Sequence, residues 1–143
     1  MSPSLFNQST TTNLQRWKKE RHELLCSMSQ AMRVSPFPEE YGEFHISLIN
    51  QFCDRLLYYI TANHFAEFGL AELTVKQIIV NQILATTKDI LGFYDKYQNI
   101  DNHSLSQTEV ENDLLIISEV LANHLDLEEL LITDLFAMEQ AIA

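Results

Sequence analysis

The chain has 143 residues, 46% of them apolar, and carries a formal net charge of −11. That length suits one domain, which on folding buries about 70% of the surface an unfolded chain of this size exposes. The negative balance weighs against direct nucleic-acid binding, because neutralising phosphates requires clustered Lys and Arg. No apolar run approaches the roughly 20 residues needed to cross a bilayer, and the N-terminus lacks the basic and then apolar order of a signal peptide. Cytoplasmic residence is therefore the expectation.

Residues 1–12, with Asn7-Gln8-Ser9-Thr10-Thr11-Thr12, read as a flexible arm ending near a helix N-cap. A first helix follows, with Leu14, Trp17, Arg21, Leu24, Leu25, Met28 and Met32 on a stripe of 3.6-residue period. Ser35-Pro36-Phe37-Pro38 stops it, since proline lacks the amide proton and disfavours helix in the residue before it. Glu39, Glu40 and Glu43 suit the positive end of a second helix. That helix aligns Leu48, Ile49, Phe52, Leu56, Tyr59 and Ile60, and is expected to run through Phe65 and Phe68 with a kink near Ala62-Asn63 and a break at Gly69.

Thr74-Val75-Lys76-Gln77 has the form of a capping box and opens a third helix with Ile79, Ile83, Thr86, Ile90, Phe93, Tyr94 and Tyr97 on one face. A polar turn at 99–103 precedes a second capping box, Ser106-Gln107-Thr108-Glu109, and a long fourth helix carrying Leu114, Ile117, Leu121, Leu125, Ile132 and Leu135. Strand alternation is nowhere sustained, and Gly and Pro number only three each. The expected fold is all-α: an up-down four-helix bundle of long helices and short connections, occupying residues 13–143 as a single domain.

Charge is unevenly placed. Residues 1–35 hold five cations against two anions, whereas the rest holds four against eighteen. From Gln98 onward there are ten acidic residues and no Lys or Arg. Such a surface steers a basic protein partner toward it, with an on-rate that falls as salt rises. Without such a partner, the same face serves only solubility. Cys26 and Cys53, far apart and in no CxxC pair, read as reduced structural thiols.

Chemistry-bearing candidates are few. His64-Phe-Ala-Glu67 and His124-Leu-Asp-Leu-Glu128 each place an imidazole and a carboxylate on one helix face, as fragments of a haemerythrin-like metal site do. The ferritin-like arrangement needs Glu-x-x-His on two helices, which this chain lacks, and the third helix has no histidine. Histidines bordering the core are the commoner explanation, so no metal or cofactor is expected. No phosphate loop, nucleophile elbow or recognisable His-Cys pair stands out. The chain reads as a non-enzyme.

Glu128 falls between Leu121, Leu125 and Ile132 on the apolar face, where a lone carboxylate is costly. An arginine or a tyrosine hydroxyl such as Tyr59 is its expected partner. The alternative is a helix rotated enough to let it reach solvent.

Three blocks carry a family likeness. They are Arg16-Trp17-Lys18-Lys19-Glu20-Arg21-His22-Glu23-Leu24-Leu25, then Phe52-Cys53 with Leu57-Tyr58-Tyr59-Ile60-Thr61-Ala62-Asn63-His64-Phe65, and Leu125-Asp126-Leu127-Glu128-Glu129-Leu130-Leu131-Ile132. Together they resemble the bacterial regulator-of-sigma-D family, Rsd/AlgQ. The resemblance implies an anti-sigma factor that binds the C-terminal region, region 4, of the primary sigma factor of RNA polymerase and keeps it from core polymerase and promoter DNA. It further implies partner-binding roles for Arg16, Trp17, Tyr58, Thr61, His64 and Phe65, with core packing the competing explanation for Trp17 and Phe65. Family members carry aspartate, serine and glycine where this chain has Tyr58, Thr61 and Asn63. The loss of an acid at Tyr58 bears on affinity and partner choice. The alternative from another class is a haemerythrin-like metal-binding or sensory bundle.

Overall fold

The computed structural model describes residues 8–32, 38–62, 77–98 and 106–142. They form four helices: α1 (Gln8–Ala31), α2 (Pro38–Thr61), α3 (Gln77–Tyr97) and α4 (Gln107–Ile142). No strand occurs among the described residues. α1 packs chiefly on α2 and α3 on α4, with α2 against α3 joining the two pairs. Bonds between residues 20 and 58 and between 23 and 55 make α1 and α2 antiparallel. Those between 97 and 113 and between 86 and 124 do the same for α3 and α4. The chain is an up-down four-helix bundle.

Each helix boundary has a local cause. α1 contains no proline or glycine and begins at Gln8, inside the segment expected to be an arm. α2 opens at Pro38, a position where the missing amide proton costs nothing and the fixed φ already suits a helix. Its described part ends at Thr61, beside the kink expected near Ala62-Asn63, and Phe65, Phe68 and Gly69 lie outside the described residues. There the Ala62 amide turns back to the Tyr59 carbonyl at 3.4 Å, and the Thr61 hydroxyl donates to the Leu57 carbonyl at 2.7 Å. α4 is capped by Ser106, whose Oγ accepts from the Glu109 amide at 3.2 Å, one half of the expected capping box. Thr74 and its proposed box lie outside the described residues.

The apolar stripes converge. Trp17, Leu24, Ile49, Phe52, Leu56, Ile90, Tyr97, Ile117, Leu121 and Leu125 are all buried. Phe52 from α2 meets Phe93 from α3 with ring centres 5.7 Å apart, and Phe93 stacks on Tyr97 at 4.6 Å. Truncating a leucine such as Leu56 in this core removes transfer energy and leaves a cavity, a cost of about 2–5 kcal/mol.

Candidate partner-binding site

A chain of buried polar groups crosses the apolar core and touches every helix. The Trp17 indole on α1 donates from Nε1 to Tyr59 Oη on α2 at 2.8 Å. Tyr59 Oη in turn donates to Glu128 Oε1 on α4 at 2.5 Å. The other Glu128 oxygen faces His124 Nε2 at 3.6 Å, one turn earlier on the same helix. His124 Nδ1 lies 2.8 Å from Thr86 Oγ1 on α3, and that hydroxyl also stands 2.9 Å from the Ile83 carbonyl. A threonine hydroxyl has one proton; given to His124 Nδ1, it leaves the imidazole proton on Nε2, the nitrogen that faces Glu128.

Glu128 is 3% exposed, so its charge is held by these neighbours and not by solvent. Burial first, and then the adjacent Glu128 carboxylate, push the Tyr59 phenol far above its ordinary value. The phenol therefore stays protonated and acts as the donor. Tyr59 is one of the partners that the helical spacing allows for Glu128.

Above this chain lies an accessible face formed by α1 and α2. Tyr58 is 56% exposed, and its hydroxyl donates to Glu20 Oε1 at 3.3 Å. One turn away Arg55 pairs with Glu23 at 3.2 Å. The antiparallel register brings exposed Arg16 and Thr61 to the same end of the bundle as Tyr58. Arg21 lies over the Trp17 ring at 5.4 Å and reaches Glu129 of α4 at 3.3 Å, closing the seam between α1 and α4.

The structure thus brings Arg16, Tyr58 and Thr61 together at the surface. Trp17, at 2% exposure, lies beneath them and can act on a partner only by holding Tyr59. His64 and Phe65 lie outside the described residues. Thr86 and His124, which extend the chain to α3, had no place among the sequence candidates as a pair; buried polar residues one helical turn from Glu128 and on the inward stripe of α3 were the available signal.

Two further pairs stand out. Lys96 Nζ and Tyr97 Oη both donate to Asp113 Oδ2, at 2.7 Å and 2.5 Å, tying α3 to α4. Burial works to raise the Asp113 carboxyl, but these hydrogen bonds and the Lys96 charge outweigh it and hold it below its ordinary value. His22 Nε2 stands 3.5 Å from Cys26 Sγ in a groove between α1 and α2, a His-Cys pair that sequence reading missed although its i, i+4 spacing reveals it. Cys26 is exposed, in contrast to the structural role expected for it, and only Cys53 is buried.

Among the described residues, no group of three or more His, Cys, Asp and Glu side chains is arranged to hold a metal ion. His124 and Glu128 are engaged with Thr86 and Tyr59, so that pair is a core contact and not half of an iron site. No helix among the described residues is long and apolar enough to cross a membrane.

Comparison with known proteins places residues 7–136 within a family described as the regulator of RNA polymerase sigma(70) subunit, Rsd/AlgQ. Similar curated proteins include a Regulator of sigma D from Yersinia pseudotuberculosis serotype O:1b (strain IP 31758), 28% identical, covering 83% of this chain and 76% of the relative. Another, from Yersinia enterocolitica serotype O:8, is 26% identical over 83% and 77% of the two chains. A third, from Escherichia coli O139:H28, is 26% identical over 82% and 79%. No solved structure matches the chain.

Proposed function

Because the chain belongs to the Rsd/AlgQ family, regulators of the RNA polymerase sigma(70) subunit, we propose that it binds region 4 of the primary sigma factor and so limits the association of sigma with core polymerase and promoter DNA. The observation that carries this reading is the family match, which extends over residues 7–136 and so takes in α1 to α3 and most of α4. The charge pattern supports it. A DNA-reading domain is basic, and from Gln98 onward this chain presents ten acidic residues with no Lys or Arg.

The proposed contact surface is the α1/α2 end, with Arg16, Tyr58 and Thr61 accessible and His64 and Phe65 following in sequence. Half-exposed Tyr58 has the profile of an interface anchor, since a rigid aromatic ring loses little conformational entropy on binding. Acidic α4 acts at longer range, raising the encounter rate within about 10 Å of its charges at 0.1 M salt. The buried chain from Trp17 to Thr86 holds the four helices in the register that presents this end.

A pull-down of isolated sigma region 4 by the tagged full chain in low salt tests the reading. Retained region 4 that competes with core polymerase supports it. Region 4 that passes through unretained contradicts it.

A further inference from the structure

α4 carries a second apolar stripe besides the one that faces the core. Ile116, Val120, Asn123, Leu127 and Leu130 recur along it at intervals of four, three, four and three residues, which at about 100° per residue stacks them into one band about 21 Å long. Ile116 is 60% exposed and Leu130 49%, Asn123 is exposed, and Val120 and Leu127 are half-buried with their inner sides on the core. We propose that this band docks one amphipathic helix of a partner protein, an apolar seam flanked by Lys or Arg, on a surface separate from the α1/α2 end.

The spacing carries the first part of the argument. Single exposed apolar residues are ordinary, but four in register along one face mark an interaction surface. A mean interval of 3.5 residues is that of a seam between two helices, in which each side chain enters a hole formed by the facing helix. Asn123 in the middle of the band then sets a condition on the occupant. Covering it without a hydrogen bond is costly, so the docked helix carries a polar side chain at that level, which fixes its register.

Charge decides what kind of helix fits. Glu119 and Asp126 stand two turns apart along one edge of the band, both exposed and neither paired with a cation among the described residues. An occupant with basic flanks answers them. A second copy of this α4 brings only further acids, since the chain has no Lys or Arg from Gln98 onward, and an anionic lipid surface is repelled in the same way. Glu129, which meets Arg21 of α1, lies on the other flank of α4, so the band turns away from α1.

A labelled synthetic helix of about 18 residues, long enough to span the band, tests the site. It carries Leu and Ile at the seam positions, one Asn midway and Lys on both flanks, and its control has the same composition with the seam positions scrambled. The expected result with the full chain is saturable one-to-one binding of the first peptide and none of the control, read by fluorescence anisotropy. Ile116→Ser with Leu130→Ser should weaken binding by about tenfold or more. Glu119→Gln with Asp126→Asn should weaken it at low salt and change it little at high salt. Ile116 and Leu130 are exposed, so their variant keeps the fold, which circular dichroism verifies. Equal binding of the scrambled peptide, no binding of either, or an affinity indifferent to the serine changes would each overturn the proposal. Self-association of the chain in sedimentation that the serine changes abolish would also overturn it, assigning the band to a second copy. Retention of sigma region 4 by the serine variant should equal that of the wild type, which separates this result from the fate of the sigma reading.

Discussion

Tyr59 accepts one hydrogen bond from Trp17 and gives one to Glu128 within the buried core. Replacing it with phenylalanine leaves the Trp17 N–H without an acceptor and removes the Glu128 donor. Tyr59→Phe should therefore destabilise the fold by about 1–3 kcal/mol, the cost of a buried polar group left unsatisfied. Adding Glu128→Leu should cost less than the separate effects combined, because the second change removes the orphaned carboxylate. Additive losses in urea unfolding would show that the two residues are not coupled. Tyr58, its exposed neighbour, should behave oppositely: Tyr58→Ala should leave stability within about 0.5 kcal/mol. The same change should weaken sigma region 4 binding by more than about fivefold, the loss of an interface anchor. Calorimetry on region 4 separates these outcomes, and unchanged affinity would remove Tyr58 from the contact surface.

At the scale of the elements, α4 depends on how it is capped and on how α3 holds its first turns. Ser106→Ala removes the acceptor for the Glu109 amide and should cost about 1 kcal/mol, read as a lower unfolding midpoint. The Asp113 carboxyl, held below its ordinary value by Lys96 and Tyr97, contributes stability that is fully present above the unfolded carboxyl value and is lost as pH falls through the lower folded one. Lys96→Met removes the cation, so its melting temperature should fall below that of the wild type at neutral pH, and the gap should narrow in acid. A gap that stays constant to pH 2 would deny the ion pair any role. These elements also show what was legible beforehand. The inward stripes of α3 and α4 and the Ser106 cap follow from spacing alone, because burial selects a 3.6-residue period and the cap is a local contact. The start of α1 at Gln8 did not: the polar run from Asn7 to Thr12 carries no apolar stripe, so nothing in its spacing marks it as helix. The candidate site was legible in part. Glu128 stood out as a charge on an apolar face and His124 as its i, i+4 neighbour, whereas Thr86 joined them only through helix pairing, and pairing is not encoded in the period of any single helix.

The whole molecule is electrically lopsided, with its cations crowded toward the first helix and none from Gln98 onward. A basic partner approaching such a body is captured from a distance and oriented before contact, and salt shortens that reach. Association should therefore slow steeply between low and physiological ionic strength, while the dissociation rate, governed by packing at Tyr58 and its neighbours, should change little. The most direct measurement is the affinity of the full chain for isolated sigma region 4 across a salt series. The expected result is binding in dilute buffer that weakens as salt rises, with the change residing in the association rate; no binding in dilute buffer, or an affinity unmoved by salt, would contradict it.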